Sequence, residues 1–131
     1  MRLSLASVSI DLGKLDAAKE EIDDIRDKAT GEKRLILQNI EAQYELARGN
    51  IERANRLVSD ALKQRRTVPS LGLMAKIEAQ QYRKALVEGQ LVLADSHREQ
   101  ALKLLQEGLV IEPTNPQLLK QMETMENIPT P

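Results

Sequence analysis

Apolar residues recur at intervals of three and four along most of this 131-residue chain, and short polar or Gly/Pro breaks interrupt them. Leu15, Ala18, Ile22 and Ile25 make one run, Leu37, Ile40, Tyr44 and Ala47 a second, and Ala54, Leu57, Val58, Ala61 and Leu62 a third. That spacing places the apolar side chains of each run on one face of a helix. The breaks fall at Gly13, at Thr30-Gly31, at Gly49-Asn50 and at Pro69. Glycine enters positive φ without steric cost and proline has no amide hydrogen to donate, so each is a physical reason for a helix to stop. Helices are therefore expected over about 3–12, 16–30, 32–48 and 51–65. Asp16 charge-stabilises the start of the second, and Asn50 is placed to cap the fourth.

The pattern beyond Pro69 runs longer. Leu71, Met74, Ile77, Tyr82, Ala85, Gly89 and Val92 keep helical spacing from Ser70 to Ala94 with no internal proline. One helix of roughly 25 residues and ~38 Å is the simplest expectation, with a break near Gln80-Gln81 as the alternative. Such a helix overhangs its neighbours and exposes Leu71, Leu73, Met74 and Ile77 to a second copy of the chain. Gly72 and Gly89 permit close approach of a packed helix. Asp95-Ser96 then opens a helix ending at Glu112-Pro113. Asn115-Pro116 opens a last, capping helix, whose Leu118, Leu119, Met122 and Met125 face the one before it.

Three segments read as one unit: Gly13-Lys-Leu-Asp-Ala-Ala18, Gly49-Asn-Ile-Glu-Arg-Ala54 and Ser96-His-Arg-Glu-Gln-Ala101. Each is a turn followed by a helix with a small residue near its start. Ala18 and Ala54 lie 36 residues apart and Ala54 and Ala101 lie 47 apart, so the third unit carries the longer first helix. A period in the thirties is the sequence signature of stacked helical hairpins. The units are approximately 1–30, 31–68 and 69–113, with a cap over 115–127, in a single helical repeat domain. The first helix is short for a full unit, which suggests a piece of a longer protein.

Composition narrows the classes. Nineteen basic residues against 20 acidic ones leave a net charge of -1, so no overall field draws the chain to nucleic acid or anionic lipid. Tyr44 and Tyr82 are the only aromatic residues, too few to interleave with cations for base stacking. No apolar run reaches the roughly 18–20 residues that a membrane span needs, so a soluble chain, cytoplasmic or periplasmic, is expected. Residues 1–10 are too mixed with serine for a secretory signal. There is no cysteine, which removes disulfides, thiolate metal sites and cysteine nucleophiles.

Chemistry is sparse. His97 is the only histidine, and next to Ser96 it is expected in an exposed turn with no nucleophile or metal cluster beside it. Glu20, Glu21, Asp23, Asp24 and Asp27 have helical spacing and make a solvated face. Lys63, Arg65 and Arg66 suit the negative end of a helix dipole. No enzyme activity and no cofactor are expected.

Ala42, Gly49, Ala54, Val58 and Ala61 together resemble the tetratricopeptide repeat, a pattern of small residues and a turn glycine over 34 positions. Ala6, Gly13, Ala18 and Ile22 match it in the first unit. Gly89, Ala101, Leu105, Gly108 and Pro113 match it in the third, with Gly89 at the small position of the first helix. The family's usual tryptophan is absent from all three. The resemblance implies an all-α, right-handed superhelix of about three stacked antiparallel hairpins plus the capping helix. It also implies a concave groove, lined by the first helix of each hairpin, that takes a peptide or a partner helix. In the second unit that stripe falls on Ile36, Asn39, Ile40, Gln43, Leu46 and Ala47. In the third it falls on Arg83, Leu86, Val87, Gln90, Leu93 and Ala94. Asn39, Gln43 and Gln90 are suited to bond a peptide backbone, and Leu46, Leu86 and Leu93 to hold apolar side chains, with Arg83 the one cation. The lysine and asparagine clamp by which one subclass holds chaperone C-termini has no counterpart here. The expected function is a protein-interaction scaffold or adaptor, one segment of a bacterial-style assembly or secretion scaffold. The alternative is a structural spacer or self-association module using the helix over 70–94.

Overall fold

The structure, a computed structural model, describes residues 10, 13–26 and 32–127, which form six α-helices and no strand. The chain is all-α. The helices are α1 (Leu15–Arg26), α2 (Glu32–Ala47), α3 (Ile51–Gln64), α4 (Val68–Val87), α5 (Leu91–Ile111) and α6 (Pro116–Glu126). No described helix is long and apolar enough to cross a membrane. The expected first helix falls outside the described residues except at Ile10, as do Thr30-Gly31 and the side chains of Asp24, Ile25 and Asp27.

The helices gather into two compact units, Met1–Arg65 and Arg66–Pro131. In the first, Ile10, Ala18, Ile22, Leu37, Ile40 and Tyr44 make one buried cluster with Leu15 at its edge. Apart from Ile10 these are three-and-four-spaced positions of the sequence, so the periodicity locates most of this cluster; Ala47, the last position of the second run, is exposed instead. Gln38 ties α2 to α3, its Nε2 donating to the Leu57 carbonyl and to Asp60 Oδ2, each at 2.8 Å.

In the second unit Thr67 caps α4 by accepting from the Ser70 amide at 3.3 Å, and Pro69 stands in the first turn, where its missing amide costs nothing. Asn115 caps α6, its Oδ1 accepting from the Gln117 and Leu118 amides at 3.0 Å each. Arg98 Nε donates to the Met125 carbonyl at 3.2 Å and so covers the far end of α6. Ala75, Ala101, Leu105, Leu118 and Met125 form the core. Leu118 is its keystone. A Cβ added at Gly108 of α5 would meet its Cδ1 at 2.8 Å, and one added at Gly72 of α4 would meet its Cδ2 at 3.3 Å, so two glycines open the slot that one leucine fills.

Three expectations need correction. The helix over 70–94 is two helices, since α4 stops at Val87 and Gly89 takes φ 74°. Leu71, Leu73, Met74 and Ile77 are buried rather than exposed, because α4 is apolar all round over its first half and behaves as a core helix. Of the capping side chains, Leu118 and Met125 are buried and Met122 packs at the core edge, whereas Leu119 is half exposed.

Candidate functional site

One backbone corner occurs three times, written Ile/Leu-x-x-Gly-x-Ile/Leu-x-x-Ala. Its copies are Ile10 to Ala18, Leu46 to Ala54 and Leu86 to Ala94. Gly13, Gly49 and Gly89 have φ of 77°, 86° and 74°, a region open to glycine and strained for other residues. In the second corner the Gly49 amide donates to the Leu46 carbonyl at 3.0 Å and the Asn50 amide to the Glu45 carbonyl at 2.8 Å. In the third the Gly89 amide donates to Leu86 at 3.1 Å and the Gln90 amide to Ala85 at 2.8 Å. These paired bonds satisfy the carbonyls that a helix end leaves open, in the Schellman arrangement. The chain then turns into the next helix, and Ala18, Ala54 and Ala94 pack with at most 1% exposure where any larger side chain would hold the helices apart. The third turn is thus Gly89 to Ala94 and not Ser96 to Ala101. The true spacing of the corners is 36 and then 40 residues, the extra four matching the greater length of α4, 20 residues, over α2, 16.

The corner's requirements end with those positions; the other side chains vary. Around Gly49 they are Ala47, Arg48, Asn50, Glu52 and Arg53, all exposed and mostly polar. Around Gly89 the counterparts of Ala47, Glu52 and Arg53 are Val87, Val92 and Leu93, exposed by 89, 88 and 46%. Leu91 adds 51%, where its counterparts Leu15 and Ile51 are more covered. Four large aliphatic side chains therefore project to solvent within seven residues, on a turn that the same chain builds elsewhere with charged ones. Arg83, Lys84, Glu88 and Asp95 stand exposed around them.

The expected groove residues are distributed differently from a single stripe. Asn39 and Gln43 lie half-buried on α2, and Leu46 is buried near its end at the second corner. Arg83 and Leu86 lie on α4, the first exposed and the second packed against Tyr82, Ala85 and Ala94. Gln90 is in the turn and Leu93 is on α5, so the corner at Gly89 breaks the third-unit stripe in two. Gln90 and Leu93 instead join Val87, Leu91 and Val92 at the exposed corner, a grouping that the spacing within one helix conceals.

Two polar arrangements escape sequence reading. Glu45, 7% exposed, accepts from Asn50 Nδ2 at 2.8 Å and lies 3.6 Å from Arg53 Nε. Asn50 consequently leaves α3 without a side-chain cap, contrary to expectation, because its amide is committed to Glu45. Lys19, Asp23, Glu41, Arg48 and Arg53 rim a cleft of about 210 Å³ over Ile22, Tyr44, Glu45 and Leu57, and Arg48 stacks 5.4 Å above the Tyr44 ring. Its charges are of both signs and roughly balanced. His97 is not in a turn. It sits within α5, with Nδ1 2.7 Å from Glu78 Oε2 on α4, and so links the two helices. Among the described residues no three His, Asp or Glu side chains gather as a metal-binding group.

Comparison with family models, with curated proteins and with solved structures finds no match to this chain, so the tetratricopeptide resemblance rests on its residues alone.

Proposed function

We propose that this chain is a non-catalytic protein-interaction module whose contact surface is centred on the corner from Val87 to Leu93. The observation that carries the proposal is the contrast between copies of one corner within one molecule. Gly49 and its buried neighbours build the turn with Ala47, Glu52 and Arg53 outside, so Val87, Val92 and Leu93 are not needed to build it around Gly89. Aliphatic side chains clustered in water weaken solubility without strengthening the turn, and their usual counterpart is a partner that covers them. The chemistry is that of an adaptor. It offers an apolar centre, the backbone-bonding amide of Gln90 at its edge, and a rim of mixed charge. Binding by such a surface varies little with salt, unlike recognition of a phosphate backbone. The superhelical array and the concave groove that the family resemblance implies, with Asn39 and Gln43 facing a peptide, belong to the same proposal.

The test is a photo-crosslinking amino acid placed at position 92 or, as control, at position 52, in cells of the source organism. Protein adducts at 92 and none at 52 are the expected result. Equal adducts at both positions, or none at 92, would overturn the proposal.

A further inference from the structure

We infer that the occupant of the Val87–Leu93 corner is a second copy of the same chain, an inference that rests on the contact surface proposed above. Three observations favour it. First, size. Val87, Leu91, Val92 and Leu93 leave on the order of 450 Å² of mostly aliphatic surface bare, within the roughly 300–600 Å² of a monomer's largest apolar patch, a patch that is often functional. A stable interface buries about 800 Å² on each partner, of which roughly 56–65% is apolar. The patch is therefore comparable in size to the apolar share of one standard interface. Second, charge. The rim holds Arg83 and Lys84 against Glu88 and Asp95, two cations and two anions. In a two-fold interface a surface meets itself, so its rim must contain both members of each ion pair. A partner of one charge sign would instead be matched by a rim of the other. Third, the net charge of the whole chain is -1, so two copies approach with almost no mutual repulsion.

The helix over 70–94 thus supports self-association by its end rather than by its beginning. Leu71, Leu73, Met74 and Ile77 are in the core, and the largest run of exposed aliphatic residues near that helix is at Val87 and beyond the turn; Val110 and Ile111, also exposed, lie at the other end of α5.

The chain supplies its own control variant. Val87→Ala, Val92→Glu and Leu93→Arg together give the third corner the outer residues of the second, which the same backbone already carries. Sedimentation of wild type and triple variant from about 1 to about 500 µM spans the affinities expected of a modest interface. Wild type is expected to pass from monomer to dimer, and the variant, with an unchanged helical circular dichroism spectrum, to dimerise at least about tenfold more weakly. Val92→Glu alone, at a side chain 88% exposed, provides the second test should the triple variant lose helicity, and it is expected to shift the equilibrium the same way. A wild type that stays monomeric throughout, or a variant that dimerises as wild type does, would overturn the inference. The two proposals fail separately. A monomeric chain that crosslinks from position 92 to a different protein removes the second copy but keeps the contact surface. A dimer indifferent to the variants, with no adduct at 92, removes both.

Discussion

Gly108→Ala measures how tightly the second unit is packed, because two known effects oppose each other there. Alanine is better than glycine inside a helix by about 1 kcal/mol, and Gly108 lies within α5 with no unusual backbone angle, so that gain is available. Against it, the new Cβ would stand 2.8 Å from Leu118 Cδ1 and 3.6 Å from Cδ2, closer at the first contact than carbon atoms pack. Leu118 is 2% exposed and fills the slot between the two helices, so it has little free space to retreat into. Overpacking of this kind costs about 1–3 kcal/mol, which exceeds the propensity gain. The expected net effect is a loss of about 1 kcal/mol in urea unfolding, or about 3–5 °C in midpoint temperature for a chain of this size. The double-mutant cycle gives a sharper outcome. Leu118→Ala alone should cost about 2–5 kcal/mol by leaving a cavity. In that background the clash is gone, and Gly108→Ala should become stabilising by up to about 1 kcal/mol. A stabilising Gly108→Ala in the wild-type background, or the same effect in both backgrounds, would refute the account of Leu118 as the wedge between α4 and α5.

Other predictions concern the corners, the caps and pH. Gly89→Ala meets no atom within 4 Å but must hold φ 74°, so it should cost about 1–2 kcal/mol from backbone strain alone, and Gly89→Asn less, by urea titration of both. Asn115→Ala removes two amide partners at the start of α6 and should cost about 1 kcal/mol, with faster amide exchange at Gln117 and Leu118 as its local signature. Arg66 donates from Nε and Nη2 to the two oxygens of Glu107 at 2.6 and 2.7 Å, and chiefly through those bonds holds the Glu107 carboxyl below the ordinary glutamate range. A lowered folded-state value means that the pair stabilises at neutral pH and that its contribution is lost as pH falls below about 4. Both side chains are substantially exposed, so Glu107→Gln should cost only about 0.2–1 kcal/mol at pH 7 and less at pH 3. An equal cost at both values would contradict the assignment.

Most of the helices are legible in the sequence, and the reason the third corner is not is itself informative. The turn at Gly49 announces itself because Arg48, Asn50, Glu52 and Arg53 break the apolar run with polar residues. At Gly89 the flanking positions are Val87, Leu91, Val92 and Leu93, so Ala85, Gly89 and Val92 carry helical spacing straight through the turn and the two helices read as one. The signal that finds the corner is the fixed pair of glycine and an alanine five residues on, Gly89 and Ala94, which Ala101 obscures by offering a second small residue in a plausible register. Hydrophobic side chains at a turn, where the fold does not require them, are what hide the element and what motivate the proposed contact surface. The slot formed by Gly72 and Gly108 is out of reach for a different reason. Each glycine alone looks like a local weakness in a helix, and only the packing of α6 across both shows that they receive the same leucine. The Glu78–His97 bond likewise joins residues 19 apart whose facing depends on where α4 ends.

Hydroxyl-radical footprinting of the side chains, in dilute purified protein and again in extract of the source cells at native concentration, tests the central claim most directly. Val87, Leu91, Val92 and Leu93 should label strongly in the dilute protein and be protected in the extract, while Ile51 and Arg53 at the equivalent polar corner label alike in both. Equal labelling of Val87 and Val92 under the two conditions would contradict a contact surface at the third corner.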